Sequence, residues 1–151
     1  MFAGNQLKDE FGFAAVFSEQ GSSSSHMCAA NFLDAIARMP GNDGNDADAR
    51  AAYTQAELQE EDNTETWVRL ADECRPANWG NQYRDPVVRL RLALEGHPRA
   101  GFYWEHHCRK AVLSAGFEPV KGWESMYKHY KWQLFLSIYV DDFKMAGRKK
   151  T

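Results

Sequence analysis

The segment from Gln133 to Met145 constrains this chain more than any other. Leu134–Val140 is apolar except for Ser137, Asp141-Asp142 follow at once, and Phe143–Met145 resumes the pattern. The apolar run is far shorter than the roughly 20 residues a membrane span requires, and its composition suits a buried strand. It therefore reads as a strand, an acidic turn and a returning strand. Ser125–Tyr130 precedes it and predicts a hairpin around Lys131-Trp132. Two adjacent carboxylates at a hairpin tip repel each other unless solvent or a cation neutralises them. The plain alternative is an Asp-Asp turn, since aspartate is a common turn residue.

Helical spacing appears twice elsewhere. Cys28, Phe32, Ile36 and Met39, with Leu33 alongside, predict a helix capped by Ser24 or Ser25 and stopped by Pro40-Gly41. Trp104, Cys108, Ala111, Val112 and Ala115 predict a second, opened by Pro98 and closed by Gly116. Asn42–Asp46 reads as a turn-rich stretch, Ala47 to about Arg50 as a short strand, and the residues up to Leu58 as a helical turn. Thr66–Leu70 and Val87–Leu94 alternate as strands, with residues 75–86 as a connecting loop. The order predicts an α+β fold, an antiparallel sheet with its helices packed on one face. A chain of 151 residues buries about 68–70% of the surface its unfolded form exposes, so it needs no disulfide or metal to fold.

The net charge of −3 conceals an asymmetry. Residues 1–74 hold 4 Lys/Arg against 14 Asp/Glu, and residues 75–151 hold 14 against 7. The total argues against a simple nucleic-acid-coating protein, but the basic half can still present a cationic groove. Cys28, Cys74 and Cys108 are widely spaced and form no CxxC pair, which fits thiols used as small apolar residues in a reducing compartment. No basic n-region with an apolar stretch opens the chain, so a soluble, non-secreted protein is expected.

Asp48 is the second acidic candidate, at the end of the short strand; alone it would be a cap or turn residue. Asp46, Asp48 and Glu57 match three positions of a calcium-binding EF-hand loop, yet Arg50 replaces an oxygen ligand and Ala51 the required glycine, so that loop is rejected. His106-His107-Cys108 suggests zinc, but adjacent helical residues point about 100° apart. Trp67, Trp79, Trp104, Trp123 and Trp132 offer stacking surface, though scattered tryptophans are more often core. The acidic run Glu60–Glu65 reads as a solvated loop, and Arg148-Lys149-Lys150 as a cationic tail. Taken together, Asp48 and Asp141 could converge from separate strands into the carboxylate pair that two-metal phosphoryl transfer requires.

Tyr139-Val140-Asp141-Asp142 resembles the YxDD box of reverse transcriptases. Asp48-Ala49-Arg50-Ala51-Ala52-Tyr53 is similar to their first catalytic box, D-x-x-x-A-[FY]. Leu94–Trp104 resembles the L-Y-G-x-x-x-A-x-x-x-W segment of copia-type retrotransposon polyproteins, and Leu113-Ser114-Ala115-Gly116-Phe117 their L-x-x-x-G-F box. Order and spacing agree over roughly residues 40–147, with weaker agreement back to Gly4-Asn5.

The resemblance implies an RNA-directed DNA polymerase acting by two-metal nucleotidyl transfer. Asp48, Asp141 and Asp142 would hold two Mg²⁺ ions, with Mn²⁺ an alternative. Tyr53 would stack beneath the incoming sugar and exclude a ribose 2′-OH. Backbone amides of Ala49, Arg50, Ala51 and Ala52 would contact the triphosphate, and Arg99 is grouped with them on the helix expected beneath the template–nucleotide pair. Tyr139 and Val140 would line the primer terminus. Glu95 stands where family members carry Tyr, and Arg99 where many carry Gln. Residues 1–45 would then be partial fingers and the first palm helix, and residues 46–151 the palm. Thumb, RNase H and integrase would belong to the rest of the Pol polyprotein, leaving the isolated fragment inactive. Template-primer RNA or DNA and dNTPs are the implied partners, with no membrane. The implied location is cytoplasmic, in a virus-like particle, or nuclear. The alternative is a degenerate, non-catalytic remnant kept as an interaction module.

Overall fold

Antiparallel pairing dominates the second half of the chain. The structure, a computed structural model, describes Lys8, Gly12 and residues 27–58, 65–80 and 82–149. The helices are α1 (Met27–Ala37) and α2 (Ala100–Ser114). The strands are β1 (Asn42–Asp48), β2 (Trp67–Arg69), β3 (Val87–Arg89), β4 (Glu118–Pro119), β5 (Met126–His129), β6 (Leu134–Tyr139) and β7 (Asp142–Arg148). Short 3₁₀ turns occupy Tyr53–Gln55, Asp72–Cys74 and Ala77–Trp79. The main sheet runs β1-β7-β6-β5-β4, antiparallel throughout, and β2 pairs with β3 in a separate ribbon. The α+β class and the β5–β6–β7 meander agree with the sequence pattern.

Packing of the helices departs from it. The expectation placed both on one face of the sheet; they cover opposite faces. Leu134, Leu136 and Ile138 alternate with Phe135 along β6. The first set joins Tyr127, Phe143 and Met145 against Trp104, Cys108 and Val112 of α2. Phe135 joins Met126 and Ala146 against Ala29 and Leu33 of α1. Both faces of β5–β7 carry apolar side chains, and a sheet of that kind requires cover on both sides.

The buried face of α1 keeps Leu33 and Ile36 of the expected stripe but not its ends. Ala29 and Leu33 are fully buried, while Cys28 is exposed and Met39 is 57% exposed. Phe32 stays at the rim, with its ring edge against Phe135 and tilted to Trp123. Gly44 lets α1 approach β1, because a Cβ there would lie 2.8 Å from the Ala37 Cβ. Lys144 on β7 ties down the same helix through Asp34 at 2.7 Å.

The turn-rich stretch at 42–46 is instead the greater part of β1. Its residues disfavour strands, yet pairing with Lys144–Arg148 recruits them, a case of tertiary context overriding propensity. All of β1 after Asn42 is exposed, and Asp43, Asp46 and Asp48 charge this sheet edge, which discourages further strand addition. The strand expected over Val87–Leu94 pairs regularly only at 87–89; Leu92 then bridges Glu57, and the Ala93 amide donates to Ala56. Glu65 pairs with Arg89 at 2.9 Å. Glu60–Thr64, the Ser24/Ser25 cap, Gly4-Asn5 and Lys150 lie outside the described residues. No helix among the described residues is long and apolar enough to cross a membrane.

Candidate metal centre

The sheet register builds the acidic site. Asp48, the last residue of β1, is directly opposite Asp142, the first residue of β7, and Asp142 is opposite Tyr139, the last of β6. Side chains of such cross-strand partners share one face. Asp141 belongs to the turn next door. Asp48, Asp141 and Asp142 each offer a carboxylate oxygen, and these atoms all lie within 4.8 Å of one another. All three side chains are exposed. Like charges directly opposite in a sheet are destabilising, and an oxygen-only, anionic donor set suits a hard divalent cation. Mg²⁺ is commonly held by one or two carboxylates with water completing its shell, so three convergent carboxylates at this spacing fit the group. No zinc arrangement forms at residues 106–108: Cys108 is buried while His106 and His107 are exposed. Burial, with Glu105 nearby, pushes the Cys108 thiol up to about 11.

The turn carrying Asp141 has only two central residues, Val140 and Asp141. Val140 has φ 54, whereas Asp141 is not in the positive-φ region. Positive φ at the first central position alone is the type II′ pattern, which glycine fits best; a β-branched valine there is strained. Two hydrogen bonds hold this turn from outside. The Trp104 indole N–H donates to the Val140 carbonyl at 2.6 Å, and the Ala49 amide donates to the Asp141 carbonyl at 2.8 Å.

After Asp48 the chain turns sharply. Ala51 has φ 51 and Ala52 is right-handed helical, leading into the Tyr53–Gln55 turn. Successive amides in such a turn form an anion-binding concavity. The carbonyls are used locally: Ala51 accepts from Thr54, Ala52 from the Gln55 amide, and Arg50 from the Gln55 side chain at 2.8 Å. Of the four residues expected to offer amides to a triphosphate, Ala49 differs, because its N–H is committed to Asp141. Ala52 is buried against the cluster that contains Trp104. Tyr53 is half-buried, and burial, then Asp141, then Glu95 raise its hydroxyl pKa above the ordinary value. Its hydroxyl therefore feels the charge of Asp141, while its ring packs against the cluster that contains Ala52 and Trp104.

Arg99 is placed differently. Its guanidinium lies 5.3 Å and 5.2 Å from the ring centroids of Phe102 and Tyr103, at the start of α2. Sequence reasoning thus brings Asp48, Asp141, Asp142, Tyr139, Val140, Ala49 and Tyr53 to one end of the sheet, and leaves Arg99 against the helix's own aromatics. It missed Trp104 as a neighbour of the turn. The helical stripe marked Trp104 as core, which it is at 5% exposure, but no spacing rule reports where an indole N–H points. Comparison of the chain with protein-family models, curated proteins and solved structures finds no match in any of the three.

Proposed function

We propose that this chain is palm-region sequence of a copia-type reverse transcriptase, with Asp48, Asp141 and Asp142 as the ligands of two Mg²⁺ ions, or Mn²⁺. The observation that carries the reading is the convergence of carboxylates 93 positions apart, oxygens within 4.8 Å, at the exposed end of one sheet. The ordered boxes around Asp48, Gly96, Gly116 and Asp141 support it. Two bound divalent ions supply charge stabilisation to the attacking and leaving oxygens of an in-line displacement.

The chain's own residues do the positioning. Asp48 and Asp142 are fixed by the β1–β7 register, and Asp141 by its turn. Tyr53, whose hydroxyl pKa is raised by burial and by Asp141 and Glu95, would put an uncharged ring beneath an incoming sugar, as any protonated tyrosine does at neutral pH. The amides of Arg50, Ala51 and Ala52 face the anion, while Tyr139 and Val140 border the primer end. Arg99, its guanidinium over the Phe102 and Tyr103 rings, stays grouped with the nucleotide-binding residues by the resemblance alone.

Primer extension on an RNA template, with the parent polyprotein and its Asp141→Asn form side by side in Mg²⁺ or Mn²⁺, tests this. Incorporation is expected only in the unsubstituted protein. Equal traces would leave a non-catalytic folded module as the reading.

A further inference from the structure

We propose that Trp104 is a positioning residue for Asp141: its indole N–H, bonded to the Val140 carbonyl, sets the orientation of the turn that presents the carboxylate. The inference rests on the metal-site reading and adds a residue that touches neither ion nor substrate.

The argument starts from the turn's geometry. In a two-residue hairpin loop the central peptide has two orientations, which distinguish types I′ and II′. Here that peptide joins Val140 to Asp141. A β-branched residue at φ 54 is held in a sparsely populated conformation, and such strain persists only where the surroundings over-determine it. The Val140 carbonyl is the one atom whose direction reports which way the peptide lies, and the Trp104 N–H meets it at 2.6 Å. The donor is well suited to that task. Trp104 is 5% exposed, packed in the cluster with Ala52, Leu136 and Ile138, and stacked on His107. A rigid ring fixed on α2 therefore points its single donor at the turn from across 36 residues of sequence.

The peptide on the other side of Asp141 is held separately. Its carbonyl accepts from Ala49, the residue that follows Asp48. Asp141 thus sits between two anchored peptides, one tied to α2 and one tied to the end of β1. Release of the first leaves the strained turn able to flip its central peptide and swing the carboxylate away from Asp48 and Asp142. Indirect partners of this kind change metal affinity about 10- to 100-fold when removed.

The test removes the hydrogen bond and keeps the ring. Trp104 is replaced by 3-benzothienylalanine, in which sulfur stands where the indole N–H was, in the full 151-residue chain. Hydrogen exchange is followed at the Ala49 amide, which reports the turn, and at the Phe117 amide, which bonds to Val112 in the same core. Exchange at Ala49 is expected to accelerate about tenfold with Phe117 unchanged, and Mn²⁺ affinity by calorimetry is expected to weaken about tenfold. Unchanged exchange at Ala49, or equal acceleration at both amides, overturns the proposal, the latter because it marks a purely structural role. Unchanged Mn²⁺ affinity beside a chain that binds Mn²⁺ overturns it as well. An unsubstituted chain that binds no Mn²⁺ defeats the metal-site reading, and the exchange pair still decides the role of Trp104.

Discussion

The Ala49 amide donates to the Asp141 carbonyl at 2.8 Å, so the residue after one carboxylate holds the backbone of another. Ordinary β1–β7 pairing places Asp48 beside Asp142. The extra bond draws the turn residue into the same arrangement, and three carboxylates meet where register alone would join two. The site is a continuation of the sheet by one hydrogen bond.

Charge crowding at that point has a measurable cost. Without divalent cations, Asp142→Asn should raise stability by about 0.5 kcal/mol, since it removes a like charge directly opposite Asp48. If the proposed metal site is occupied, Mn²⁺ should raise the melting temperature of the unsubstituted chain, and the same substitution should abolish that rise. Thermal denaturation with and without Mn²⁺ checks both halves. A substitution that lowers stability in metal-free buffer contradicts the account.

Gly147 predicts a steric penalty at the other end of β7. A Cβ there would collide with the Gln133 carbonyl and come 2.8 Å from the Leu134 Cδ2. Much of that obstruction is backbone, so it cannot rotate away. Gly147→Ala should cost about 1–3 kcal/mol, read as a lowered urea midpoint at unchanged slope.

Tyr53 predicts an alkaline dependence. Its folded-state pKa is raised, first by burial and then by Asp141 and Glu95, so the native state retains the proton to higher pH than the unfolded chain. This contribution to stability is fully present below the ordinary tyrosine pKa and is lost as pH rises through the folded-state value. The phenolate difference spectrum between the unsubstituted chain and Tyr53→Phe should place the midpoint above 10. Asp141→Asn should move it part of the way down, because burial remains.

Much of this was legible before any coordinates. The β5–β6–β7 meander followed from apolar runs broken at Lys131-Trp132 and Asp141-Asp142, and α2 from the stripe at Trp104, Cys108 and Val112. Local pattern failed where partners decided the outcome. Asn42–Asp46 has turn composition and becomes a strand only because β7 pairs with it. The α1 stripe holds at Leu33 and Ile36 but not at Cys28 or Met39, since Ala29 takes the inward position, towards a sheet face the sequence pattern does not assign to that helix. In the site, carboxylate identity was visible at Asp48 and Asp141, whereas the donors that hold the turn were not. Hydrogen bonds spanning dozens of residues leave no periodicity.

The edge position of β1 bears on how this molecule comes apart. Among the described residues, Asp48 reaches the site on a strand bonded on one side only, whose exposed residues bury little apolar surface. Strands of that kind open at lower free energy than the strands inside a sheet. Fraying from the Asp48 end would scatter the three carboxylates while β5, β6, β7 and α2 stayed folded. The chain can therefore lose its acidic site without losing its core.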